Sequence, residues 1–232
     1  MLIVVSVCVR LGFWQVDRLQ QRQTRNQLQR TRAAAPPFRV GGLSFDTAGM
    51  LYHRVWVEGR YDHDRSIVLP GRSLRGVPGV HLLTPLLLGG GSAVLVNRGW
   101  VPAADGATVN LDSLRVPVTE RVTGLALPFP GSGRIAVART TDAFQRVWFS
   151  PNEAALRSQF PYKLLAIQVQ ALPDSATPLQ AIPVRLGPPE LDNGPHLGYA
   201  IQWFSFGAIF FIGWISLMIR KGEIRRGPAR ST

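Results

Sequence analysis

Cysteine is nearly absent: Cys8 is the only one in 232 residues. No intrachain disulfide can form, even for a domain facing an oxidising compartment. Thiolate-based zinc, copper and iron–sulfur sites each need several cysteines or a Cys/His cluster, so a soft-metal chaperone is excluded as well. Catalytic signatures are also missing. Neither Gly-x-Ser-x-Gly nor His-Glu-x-x-His occurs, and Gly89-Gly90-Gly91-Ser92 lacks the Lys-Ser/Thr that would make it a phosphate loop. The chain is expected not to be an enzyme. Charged residues make up 17% of the sequence against 46% hydrophobic. That balance is too apolar for disorder and too polar for a polytopic protein.

Acids are scarcer than bases, 14 against 26, and the formal charge is +12. Its distribution argues against nucleic acid. Arg220, Lys221, Arg225, Arg226 and Arg230 crowd the tail with only Glu223 among them, and a second cluster runs from Arg18 to Arg32 with no nucleic-acid motif around it. Such stripes on a membrane protein face phospholipid headgroups.

Residues 197–219 carry no charged side chain. About 20 apolar helical residues at ~1.5 Å rise cross a bilayer core of roughly 30 Å. With the basic tail behind it, this span places the carboxyl terminus in the cytoplasm and His196 on the outer side. Tyr199 and Trp203 follow three and seven residues after His196, near one helical face, where an interfacial aromatic belt accounts for them. For His196 itself, a solvated residue and a ligand both remain open. Residues 1–16 are apolar except for Arg10 and short for a span, without the features of a signal peptide. They are expected to be a first transmembrane helix whose start is missing. Residues 17–35 extend it as a polar helix that stops at Pro36-Pro37.

Between the helices lies an expected β-rich domain, residues 38–172, joined to the second span (196–219) by a Pro-rich strap, 173–195; residues 220–232 form the basic tail. Candidate strands cover 52–61, 66–69, 80–88, 93–97, 116–127, 135–138 and 163–171, and their spacing suggests an antiparallel barrel or sandwich. The glycines at 89–91 mark a hairpin whose turn type is open. Ser150-Pro151-Asn152-Glu153 reads as a capping box with Ser150 as cap, opening a helix to about residue 159. The fold class is therefore membrane-anchored α+β, two transmembrane helices flanking an extracytoplasmic, mainly antiparallel β domain with one short helix.

Two further places invite function. His63 stands between Asp62 and Asp64, where a solvated turn outweighs a hard-cation site. In Val94-Leu95-Val96-Asn97-Arg98-Gly99-Trp100-Val101-Pro102 a strand is expected to end at Asn97, with Trp100 packed inside and Arg98 at the surface. An exposed Arg and Trp together would instead suit a protein-binding hot spot.

With these pieces placed, the chain resembles the surfeit locus protein 1 family, the cytochrome c oxidase assembly proteins, as a bacterial member. The resemblance covers nearly the whole chain. It is carried by residues 11–18 (Leu-Gly-Phe-Trp-Gln-Val-Asp-Arg), residues 54–61 (Arg-Val-Trp-Val-Glu-Gly-Arg-Tyr), Thr84-Pro85-Leu86, the motif at 96–102, and residues 196–204 (His-Leu-Gly-Tyr-Ala-Ile-Gln-Trp-Phe). It departs where Gly194-Pro195 separates Asn193 from His196. The resemblance implies an assembly factor of the respiratory chain, a chaperone that delivers haem a to oxidase subunit I or stabilises it there. It implies haem iron at His196, with Tyr199, Trp203 and Arg18 around the cofactor, and partner contacts at Trp14, Gln15, Arg98 and Trp100. The expected partners are oxidase subunit I, other assembly factors and membrane lipid, in a two-pass protein of the plasma membrane with its central domain outside. The alternative is a scaffold that holds an assembly intermediate without binding haem.

Overall fold

Gly90 and Gly91 turn the middle of the chain back on itself. Their φ values, +57° and +71°, are those of a two-residue type I′ turn, and Gly89 pairs with Ser92 across it. The computed structural model of the full chain describes residues 1–41, 47–116, 120–132, 143–175, 178 and 181–225, with side chains to residue 221. Two compact units emerge: Met1–Leu28 with Glu190–Thr232, and Gln29–Pro189. The chain runs as α1 (Leu2–Ala34), β1 (Phe38–Arg39), β2 (Arg54–Tyr61), β3 (Ile67–Leu74), β4 (Val77–Gly89), β5 (Ser92–Pro102), β6 (Glu120–Pro128), α2 (Glu153–Ser158), β7 (Lys163–Ala171) and α3 (His196–Arg225).

The strands form one sheet in the order β1-β2-β6-β7-β5-β4-β3, and a further β2–β4 pairing at Arg60–Leu87 and Tyr61–Leu86 closes it into a barrel-like ring. Closure removes sheet edges that would otherwise invite aggregation. Most neighbours are antiparallel; β1–β2 and β5–β7 are parallel. Strand β5 is buried on both faces. Val94 and Val96 join one core with Val55, Leu86 and Val169, while Ala93 and Leu95 join a second with Ile67, Leu83 and Leu156 of α2. A strand covered on both sides reads as an unbroken apolar run, as this one does from Ala93 to Val96.

Several expectations change in detail. The strand expected to end at Asn97 continues to Pro102, passing Arg98 as the extra residue of a β-bulge: Asn97 pairs with Leu83 and Gly99 with the adjacent Leu82. Strand β3 runs to Leu74, beyond the expected 69, because a second tight turn at Arg75-Gly76 lets it stay paired with β4. Helix α2 is capped by Asn152, whose side chain accepts from the Ala155 amide at 3.1 Å, and not by Ser150. Asn offers the same acceptor geometry two residues later, which starts the helix at Glu153. The strand expected at 163–171 forms over those residues. The one expected at 135–138 lies outside the described residues. Among the described residues of the Pro-rich strap, Val184 forms an antiparallel bridge with Trp100.

In the helical unit, Cys8, Gly12, Gln15 and Asn26 are the buried residues of α1 and fall on one helical face. That face meets α3 antiparallel. A Cβ at Gly12 would lie 2.6 Å from the Phe204 ring, Phe13 stacks edge-on to Phe204 at 5.3 Å, and Gly207 comes close to Cys8. Small residues at a helix interface let the backbones approach. Away from the contact, exposed apolar side chains include Ile3, Val7 and Trp14 on the first half of α1 and Ile209, Phe210, Ile212 and Leu217 on α3. Among the described residues, one helix, His196–Lys221, is long and apolar enough to cross a membrane.

Candidate functional site

His196 opens α3, and its imidazole turns inward to α1. Nδ1 lies 2.8 Å from Oε1 of Gln15. An amide oxygen only accepts, so Nδ1 donates to it, and in the neutral ring the lone pair is then on Nε2. The approach to the helix is fixed by polar contacts. Asn26 donates to the Asp192 carbonyl at 3.1 Å and to Oδ1 of Asn193 at 3.0 Å, and the Gly194 amide donates to Oδ1 of Asp192 at 2.9 Å. The Tyr199 amide then bonds the Pro195 carbonyl at 3.1 Å, the first bond of the helix ladder. Gly194 has φ +70°. A Cβ there would sit 3.4 Å from Nε2 of His196 and 3.6 Å from a guanidinium nitrogen of Arg22, so both groups border the glycine.

The other residues singled out from sequence divide. Tyr199 and Trp14 are each 48% exposed, and Trp203 is half-buried against Phe206 at 6.1 Å. Arg18 stacks over Trp14 at 5.6 Å and donates to Gln21 at 3.0 Å. Gln15 is buried and engaged with His196, which leaves Trp14 as the member of that pair presented outward. Sequence reasoning missed Asn26 and Gly194; an Asn on an otherwise exposed polar helix gave no periodic signal of burial.

An imidazole whose second nitrogen is hydrogen-bonded is a common axial ligand of haem iron, and Arg22 is a cation that the structure places beside it. Among the described residues no group of three or more His, Cys, Asp or Glu side chains could hold a bare metal ion.

In the β unit, Trp100 is buried as expected, with its indole packed where a Cβ on Gly79 would stand 2.5 Å from Nε1. Arg98, expected at the surface, is instead only 8% exposed. The bulge turns its side chain inward, where the guanidinium lies over the Tyr61 ring at 5.1 Å. Burial lowers the pKa of Arg98 and raises that of the Tyr61 phenol.

The Asp62-His63-Asp64 turn is occupied by internal partners. Nε2 of His63 lies 3.2 Å from the Val116 carbonyl, Asp64 accepts from Arg115 at 2.7 Å, and Asp62 accepts from the Tyr162 hydroxyl at 2.9 Å. Burial first of all lowers the His63 pKa, and the Arg115 hydrogen bond holds Asp64 below the usual carboxylate range. With both carboxylates answered, the turn is structural.

Compared with known proteins, the chain matches the SURF1 family over residues 2–208, a stretch that includes His196 and Arg98. A SURF1-like protein of Monosiga brevicollis is 29% identical over a 253-residue alignment that covers 100% of this chain and 92% of the relative. An uncharacterized SURF1-like protein of Mycobacterium bovis is 28% identical over 211 residues, 88% of this chain and 74% of the relative. A SURF1-like protein of Rickettsia prowazekii is 24% identical over 207 residues, covering 87% and 81%.

Proposed function

Since the chain belongs to the SURF1 family, whose members are membrane-associated and linked to cytochrome oxidase assembly, we propose that it carries haem a to subunit I of the haem–copper oxidase or steadies it there, with His196 as the iron ligand. The observation behind this reading is the 2.8 Å contact from Gln15 to Nδ1, which sets the tautomer and leaves Nε2 to coordinate. Tyr199 and Trp14 would flank the macrocycle, and Arg18 and Arg22 would pair with its propionates. Haem a is cargo here, the redox centre of the oxidase and not of this chain. One protein ligand suits a carrier, because an acceptor whose own residues bind more completely can take the cofactor over.

The proposal includes a two-pass topology with both termini cytoplasmic and the β unit outside. Support comes from the basic tail after a charge-free span and from the exposed apolar faces of both α1 and α3. Each Lys or Arg costs about 2.5–3.5 kcal/mol at a bilayer centre. Reporter fusions near Ser132 and at Thr232 are expected to give opposite signals, and equal signals would refute the topology.

A haem-free scaffold is favoured by one observation: His196, Gln15, Asn26 and Asn193 form hydrogen bonds that tie the strap and α3 to α1, a structural use for the imidazole. The two readings part in cells that make haem a. Purified wild-type protein is expected to show a haem band that His196→Ala and His196→Gln lose, with oxidase activity falling in the same cells. Colourless wild-type protein that co-purifies with the oxidase would establish the scaffold.

A further inference from the structure

A guanidinium taken out of water without a counter-charge is costly, so buried arginines are normally paired. Arg98 is an exception. More than nine-tenths buried, it has among the described residues no hydrogen bond and no carboxylate at ion-pair distance, only the Tyr61 ring at 5.1 Å. The local backbone is built to hold it there. Arg98 is the bulged residue of β5; the Gly99 amide donates to Oδ1 of Asn97 at 3.1 Å, and Gly99 has φ +130° with the Val184 carbonyl 2.2 Å from where a Cβ would stand. Any other residue at 99 would be strained and would clash, so the bulge that turns Arg98 inward depends on glycine.

Arg98 faces a cavity of about 140 Å³ lined also by Tyr61, Glu120, Val122, Pro183 and Arg185. Two cations and one carboxylate lie on this wall. Glu120 is 3.6 Å from Arg185, which also pairs with Asp174. Thus Arg185 is answered and Arg98 is not.

We propose that this cavity is an oxyanion site, in which the Arg98 guanidinium and the Tyr61 hydroxyl hold a carboxylate or phosphate group, while Glu120 on the same wall is engaged by Arg185. Guanidinium and oxyanion match in two-point geometry, and partial burial strengthens the pair. Burial keeps the Tyr61 phenol protonated at neutral pH, so it donates. The volume selects the ligand. It exceeds by roughly tenfold the ~10–15 Å³ that one water requires and falls below the ~300 Å³ of pockets for drug-sized ligands. One oxyanion with a few waters fits, and a porphyrin does not. The inference is therefore independent of haem binding at His196.

The test uses the full chain in a nonionic detergent, melted by tryptophan fluorescence at constant ionic strength while sodium chloride is exchanged for sodium phosphate, for sodium acetate, or supplemented with short-chain phosphatidylglycerol. Wild-type protein is expected to gain several degrees in Tm as an oxyanion saturates the site. A shift with phosphate or acetate identifies a free anion, and a shift confined to phosphatidylglycerol identifies a lipid headgroup. In Arg98→Met the shift is lost, while in chloride alone this variant melts at or above wild type because an unanswered buried charge is gone. Arg98→Lys keeps the charge without the fork and is expected to bind roughly tenfold more weakly; it serves as the readout if Arg98→Met does not fold. No shift in wild-type protein with any of the three probes overturns the proposal, as does a shift of wild-type size in both variants.

Discussion

The helical unit and the β unit handle polarity in opposite ways. Along α1 and α3 the apolar side chains point out, and the buried seam is small and polar: Gly12, Gln15 and Asn26 against Phe204, His196 and Asn193. In the β unit the apolar side chains point in, and a buried charge, Arg98, has no carboxylate at ion-pair distance among the described residues. The first arrangement belongs to a solvent of lipid, where close packing and hydrogen bonds hold helices together. The second belongs to water, where burial of apolar area does so. The buried polar groups mark the candidate sites in both, for opposite reasons: in the helices the polar group is satisfied and oriented, and in the barrel Arg98 makes no hydrogen bond among the described residues.

The sharpest way to break this contrast is Trp100→Ala. Removing a buried large aromatic costs about 3–5 kcal/mol, comparable with the stability of a small domain. Near-UV signals of the β unit are expected to collapse while ellipticity at 222 nm from the long helices persists. An unchanged melting profile would show that Trp100 does not anchor the barrel. A smaller effect is expected from Gly12→Leu in the helical unit, where the added side chain must displace the Phe204 ring. Overpacking of this kind costs about 1–3 kcal/mol. The helical transition should move down in temperature while the β unit's does not, and a common shift would argue against separate packing.

A smaller effect again is the pH response of the β unit. Burial, with Arg72 nearby, pushes the half-buried His81 down to about 4 from its ordinary 6.5. As pH falls, the unfolded chain takes up this proton near 6.5 and the folded one only near 4, so stability present above pH 6.5 is lost between those values. Discounted for the ring's partial exposure, the loss is about 1–2 kcal/mol. Unfolding free energies from urea titrations at pH 7 and pH 4.5 should differ by that amount more in wild-type protein than in His81→Phe; equal differences would acquit His81.

Much of the architecture was legible because it rests on local pattern. The charge-free run of α3, the strand at 163–171 and the glycine turn at 90–91 each follow from residues within a few positions of one another. Arg98 was misplaced because polarity alone suggests the surface, and only the bulge, with Val184 crossing above Gly99, turns it inward. The seam of α1 was hidden for a similar reason. Gln15 and Asn26 meet partners 181 and 167 residues away, and neither forms an apolar stripe. Parallel pairing of β5 with β7 is likewise non-local and has no signature in either strand alone.

The central claim is that His196 coordinates haem iron through Nε2 because Gln15 holds the other nitrogen. Haem a bound per polypeptide, measured in wild-type protein, Gln15→Leu and His196→Ala purified from the same haem-a-producing cells, tests it most directly. A graded series is expected. Occupancy should be highest in wild type, weakened about 10–100-fold in affinity when the orienting amide is lost, and abolished without the imidazole. Wild-type occupancy in His196→Ala would contradict the claim outright, and wild-type affinity in Gln15→Leu would remove the hydrogen bond from it.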